Sequence, residues 1–230
     1  LVNNIELADH KDRNDEGQTI YFPSLKTSLR DADTGIQNTF LDEEIVLVDT
    51  VSYTNLAAGK TYRLEGTLMN KATGKPVTVN GEAVTAETTF TAEKANGTAE
   101  VNFTFDGVAA GLEKKNALVA FETLYYEKET EGEKTDIIIG IHEDIDDVEQ
   151  TVTIPDIATT LLGKETEDHM ANAGETTTIV DHVAYSGLVS GRKYTMTGTL
   201  MTEPETDVTD EPKKPIKQTG LSKREQHNRY

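Results

Sequence analysis

The chain has no cysteine and no tryptophan, and only 6% of its 230 residues are aromatic. The first absence excludes a disulfide framework, so any covalent staple has to be of another kind. Few large rings, with 36% hydrophobic residues, suit modest all-β cores better than the core of a large enzyme. Basic residues are also scarce: 22 Lys and Arg stand against 41 Asp and Glu, a net charge of −19. A surface of that sign repels phosphate backbones and anionic membranes, so nucleic acid is not an expected partner. No apolar run approaches the roughly 18 residues that span a bilayer, and no membrane span is expected in this chain. The first residues lack the basic start and apolar middle of a signal peptide. Export stays open, because Leu1 need not be the native start. No cofactor motif appears, and neither a cofactor nor a metal is expected. The acidic run HEDIDDVE is rich in oxygen ligands but lacks the spacing and the glycine of a calcium loop, so it reads as a solvated acidic turn.

What the chain does have is a repeat. HEDIDDVEQTVTIP (142–155) answers HKDRNDEGQTIYFP (10–23), with His10 to His142, Gln18 to Gln150 and Pro23 to Pro155 all separated by 132 residues. The same offset pairs Thr27 with Thr159, Asp49 with Asp181, Tyr53 with Tyr185 and the GTLM of 66–69 with the GTLM of 198–201, without a gap. A self-match at fixed period marks tandem modules. The expected organisation is the C-terminal remnant of one repeat (1–21), a complete repeat (22–154), the N-terminal part of another (155–201) and a disordered tail rich in Pro, Thr and charge (202–230).

Within the complete repeat, period-2 alternation dominates and helical periodicity is missing. EEIVLVDTVSY, TYRLEGTLM, VTVNGEAVTAETTF with its Asn80-Gly81 hairpin signal, TAEVNFTF, ALVAFETLYY, TDIIIGIH and VEQTVTI all read as strands. Short strands separated by turn signals predict an immunoglobulin-like β-sandwich.

Residues two apart on a strand share a face. That rule groups Thr27 with Leu25 and Leu29, Asp49 with Leu47 and Val51, and Glu122 with Ala120 and Leu124. It also groups Gln150 with Val148, Val152 and Ile154, and His142 with Ile138 and Gly140. Five polar side chains therefore point inward, where an unpartnered neutral group costs about 1–3 kcal/mol and a charge more. A satisfied polar cluster, or strand edges facing water, is the ordinary explanation. The set also contains the parts of an activated nucleophile: a hydroxyl, an imidazole to take its proton and a carboxylate. The Gln150 carboxamide is then the electrophile, and attack by Thr27 Oγ1 would leave a Thr–Gln ester and release ammonia. Fixed proximity supplies effective molarities of about 10⁵–10⁸ M, enough to overcome the inertness of an amide. A protonated Glu122, its pKa raised by burial and by Asp49, is placed to donate to the oxyanion.

VAFE at Val119–Glu122, preceded by IVLVDTVSYTNLAAGKTYRLEGTLM and followed by His-x7-Gln-Thr-Val, resembles the VaFE-repeat, or ester-bond, domains of Gram-positive surface adhesins. The resemblance implies a sandwich whose first and last strands are joined by a self-formed ester. Thr27 is its nucleophile, Gln150 the acyl donor, His142 the general base, Asp49 the acidic partner of that base and Glu122 the second acid. Ser28 offers a second hydroxyl, but alternation and the Thr159 match both favour Thr27. His10 and Gln18 lack an upstream threonine here, and Thr159 and Asp181 lack a downstream His-x7-Gln, so neither partial repeat closes its own cross-link within this chain.

The expectation is therefore a structural stalk module of a cell-wall adhesin or pilus-like protein, extracellular, with neighbouring repeats and a host surface ligand or the cell wall as partners. It would carry out one self-modification and no enzymatic turnover. The alternative is an immunoglobulin-like module that binds host ligand or glycan without a cross-link. An isopeptide from Lys26 is disfavoured, because Lys26 faces away from the core and the closing strand offers Gln rather than Asn. PIKQTG (215–220) looks like a degraded sortase signal with Thr219 at the anchoring position, but no apolar segment follows it.

Overall fold

The structure, a computed structural model, describes residues 8–174 and 176–202. Residues 203–230, which hold most of the expected tail and the PIKQTG motif, lie outside the described residues. Among those described, no helix is long and apolar enough to cross a membrane.

The first strand comes in two pieces, β1 (Ser24–Lys26) and β2 (Leu29–Asp31), both antiparallel to β3 (Ile45–Thr54). Ser24 pairs with Thr54 and Leu29 with Asp49, while Ser28 and Thr50 exchange both backbone hydrogen bonds at 3.1 Å. The register therefore runs unbroken past Thr27 and turns that side chain inward with Leu25 and Leu29.

In the second sheet β4 (Thr61–Asn70) is central. The two-residue β5 (Lys75–Pro76) and β8 (Thr85–Thr91) lie on one side of it, and β10 (Ala117–Thr130) on the other. Between β5 and β8, β6 (Thr78–Val79) and β7 (Glu82–Ala83) form a small hairpin. Its Asn80 and Gly81 take φ of 54° and 88°, the positive values that a two-residue I′-type loop requires. β9 (Gly97–Phe105) returns to the first sheet on the far edge of β3. The free edge of β10 takes β11 (Glu133–His142) and then β12 (Thr151–Thr153).

The inward rows meet in one core, with Leu29, Leu47, Val51 and Phe103 from the first sheet and Leu64, Leu68, Leu118 and Leu124 from the second. Two antiparallel sheets around that core make the all-β, immunoglobulin-like sandwich that the strand spacing predicts.

The closing segment bridges the sheets. Leu29 donates its amide N–H to Glu149 O at 2.9 Å, and Ala120 donates to Gln150 O at 3.2 Å. The first strand and β10 thus both grip the backbone at Gln150.

Two details of the expected alternation differ. Val148 does not share the buried face of Gln150, for it is 72% exposed. Residues 144–150 form turns rather than strand, so period-2 counting fails there and resumes only at Thr151. Nor does His142 share a face with Ile138: a bulge at Ile139, where the partner of Leu124 is Gly140 but that of Tyr125 is Ile138, flips the alternation and leaves Ile138 exposed.

After the complete repeat, β13 (Asp156–Gly163) and β14 (Ile179–Ser186) form a hairpin that pairs Ile157 with Tyr185 and Leu161 with Asp181. That register reproduces the pairing of Leu25 with Tyr53 and Leu29 with Asp49. The second copy of TYRLEGTLM is not a strand over 192–200. β4 is held between β8 and β10, and the described residues contain no counterpart of either.

Candidate cross-linking site

Each proposed side chain sits on an inward position of a different element. Thr27 lies between β1 and β2, Asp49 in mid-β3, Glu122 in mid-β10 and Gln150 just before β12; all four are buried, the last three completely. Glu122 is the cross-strand partner of both Gly66 and His142, so the bulge at Ile139 brings the imidazole beside it. His142 is half-buried, with 22% of its side chain exposed.

Gly66 makes room for the acid: a Cβ there would stand 2.7 Å from Glu122 Oε1 and 2.6 Å from Phe103 Cζ. Its place in the repeated GTLM was visible in the sequence, but its reason was not.

The polar atoms of the four buried side chains have no hydrogen-bond partner: Thr27 Oγ1, both oxygens of Asp49, both of Glu122, and Oε1 and Nε2 of Gln150. Native interiors leave very few such atoms, and each costs about 1–3 kcal/mol. All seven belong to four of the five inward polar side chains that the alternation singles out.

The electrostatics divide the two acids. Burial pushes the Glu122 carboxyl up to about 10, helped by the charge and close approach of Asp49 and by the charge of Glu65. Burial also raises Asp49, but only to about 6, because Glu122, the Ser28 amide, Thr27 and the positive potential of His142 favour its charged form. Burial therefore favours the protonated form of both acids, and of Glu122 more strongly than of Asp49.

The acid bonded to His142 is not Asp49. His142 Nε2 lies 3.1 Å from Asp147 Oδ2, while Asp49 and the imidazole interact only through charge. Asp147 escaped the alternation argument because it stands in a turn. The signal that finds it is the repeat itself, for Asp15 occupies the same place after His10.

The counterparts of these residues at the 132-residue offset are exposed. His10 bonds Asp15, Gln18 faces solvent, and Thr159 and Asp181 lie on the open faces of β13 and β14.

A β-sandwich with a buried hydroxyl on its first strand, a buried carboxamide before its closing strand and a buried acid pair between defines a class of domains built to cross-link themselves. The chain belongs to the T-Q ester bond containing domain family, whose model matches residues 23–154 and again 155–229. Among solved structures it is similar to a bacterial adhesin from Mobiluncus mulieris containing intramolecular disulfide, isopeptide and ester bond cross-links. In the P1 crystal form of that adhesin the identity is 15% over 73% of this chain and 75% of the other, with a TM-score of 0.47. In the P21 form the identity is 14% over 72% and 76%, with the same TM-score of 0.47. No curated protein matches the chain.

Proposed function

We propose that the chain is a structural stalk segment of a surface-displayed bacterial adhesin, and that residues 22–154 form a module stapled by an ester between Thr27 and Gln150. The observation that supports this reading is the set of seven buried, unpartnered polar atoms contributed by Thr27, Asp49, Glu122 and Gln150.

His142 takes the proton from Thr27 Oγ1 as the oxygen attacks Cδ of Gln150. The neutral Glu122 donates to the developing oxyanion, and the anionic Asp49 favours the imidazolium formed alongside. The imidazolium then protonates the departing Nε2. The Cδ–Nε2 bond breaks, the Oγ1–Cδ bond remains and ammonia leaves. The event occurs once per module, which is self-modification and not turnover. Neighbouring repeats would continue the stalk on either side, and the cell wall and a host surface ligand are its partners at the two ends.

A stalk carries tension, and a tie between first and last strands sends that tension around the fold. Single-molecule pulling on residues 22–154 held at their ends tests this. The wild-type module is expected to add no contour length, whereas Thr27→Ala extends by roughly 3.4 Å for each residue released. A wild-type module that lengthens as far as the variant contradicts the reading.

A further inference from the structure

Five hydrogen bonds shape the turn between His142 and β12, beside a longer one from Thr151 N–H to Val148 O at 3.4 Å. Asp146 N–H donates to Asp144 Oδ1 at 3.0 Å, Asp147 N–H to Asp144 O at 3.1 Å and Glu149 N–H to Asp147 Oδ1 at 2.8 Å. Thr151 Oγ1 donates to Asp147 O at 2.6 Å, and His142 Nε2 meets Asp147 Oδ2 at 3.1 Å.

The same five recur 132 residues earlier: Asn14 N–H to Asp12 Oδ1 at 2.9 Å, Asp15 N–H to Asp12 O at 3.4 Å, Gly17 N–H to Asp15 Oδ1 at 2.8 Å, Thr19 Oγ1 to Asp15 O at 2.9 Å and His10 Nε2 to Asp15 Oδ2 at 2.5 Å. The residues whose side chains make these bonds are the same in both copies, while Lys11, Arg13, Asn14, Glu16 and Gly17 are replaced by Glu143, Ile145, Asp146, Val148 and Glu149. The earlier turn forms on an exposed stretch, with 56% of the His10 side chain open. The turn's internal hydrogen bonds therefore form in both copies, and in the later one the sandwich adds bonds from Gln37 Nε2 to Val148 O and Thr151 O.

We propose that Asp147 is the positioning residue of the cross-linking reaction. Its Oδ2 fixes the ring of the base, and its Oδ1, on the Glu149 amide, fixes the backbone that presents Gln150 one residue later. One carboxylate thereby sets base and acyl donor together. Resting on the Thr27–Gln150 reading above, this frees Asp49 for the proton shared with Glu122.

With Nε2–H donated to Asp147, the tautomer assigned by its partner leaves the lone pair on Nδ1 as the base. Burial alone would raise the Asp147 carboxyl, but the amides of Glu149 and Gln150 and the His142 ring outweigh it and hold it below the usual range, so the acceptor stays ionised. The other ionisable groups facing His142 are Glu122 across the ladder and Asp49 through its charge.

The test is the rate of ammonia loss by the full chain on refolding, followed by intact mass across a range of pH. Asp147→Asn is expected to slow it by about 10²–10⁴-fold, as loss of an orienting carboxylate does, with partial rescue by Asp147→Glu and a displaced pH profile. Asp15→Asn, the same change in the turn of the partial repeat, should leave the rate unaltered. An Asp147→Asn protein that cross-links at the wild-type rate with the wild-type pH profile overturns the proposal. A wild-type chain that never loses ammonia sinks the underlying reading instead. A second measurement does not depend on the reaction: ¹⁵N NMR of His142 in Thr27→Ala should find the proton on Nε2, and finding it on Nδ1 overturns the proposal as well.

Discussion

Glu122 and Asp49 are carboxyl groups whose four oxygens are all buried in the sandwich. Their burial has a consequence for the uncross-linked protein. Glu122 titrates at its ordinary value near 4.5 in the unfolded chain and at about 10 in the fold. Between those values the folded state binds a proton that the unfolded state has released. This contribution is full below the ordinary value and is lost as pH rises. Asp49 works in the same direction between 3.8 and about 6. Thr27→Ala, which cannot close the ester, should therefore melt at a lower temperature at pH 8 than at pH 5. Adding Glu122→Gln, which keeps the shape without the charge, should remove most of that difference. Equal melting temperatures for Thr27→Ala at the two pH values would mean that Glu122 does not hold its proton.

At the scale of elements, β4 and β10 illustrate how a strand pair makes a reactive site. Their register sets Gly66 opposite Glu122, and the missing side chain is the space that the carboxyl fills. Gly66→Ala would push into Phe103 and Glu122, so a loss of about 1–3 kcal/mol is expected in denaturant unfolding, with slower ester formation. Wild-type stability and rate in that variant would show that the acid has slack. The inward positions of Asp49 and Glu122 were legible in the sequence because β3 and β10 alternate without interruption through those residues. The environment of His142 was legible only in part, since a bulge at Ile139 shifts the face and its local sign, the isolated Gly140 beside it, does not give the direction of the shift. Val148 and Asp147 were misjudged or missed because alternation was carried into a turn. That turn is written in side-chain bonds from Asp144 and Asp147 to backbone amides, a code that strand periodicity does not contain.

Over the whole molecule, the tie between first and last strands encloses nearly all of residues 23–154, the first stretch that the family model matches. In the chain-entropy account, closing a loop of about 100 residues stabilises the fold by about 4.7 kcal/mol. For a domain of this size that corresponds to roughly 15–25 °C in Tm. Gln150→Ala is expected to lose about that much in calorimetry, and a loss of only a degree or two would mean that no covalent loop was present. Low aromatic content and the absence of cysteine fit this design, since a small core without disulfides gains most from a staple of another chemistry. The most direct measurement is the intact mass of the folded chain, followed by protease digestion and mapping of the peptides. A mass one ammonia below that of the sequence, with Thr27 and Gln150 recovered in a single branched peptide, is the predicted result. Full mass, with the two residues recovered in separate linear peptides, would contradict it.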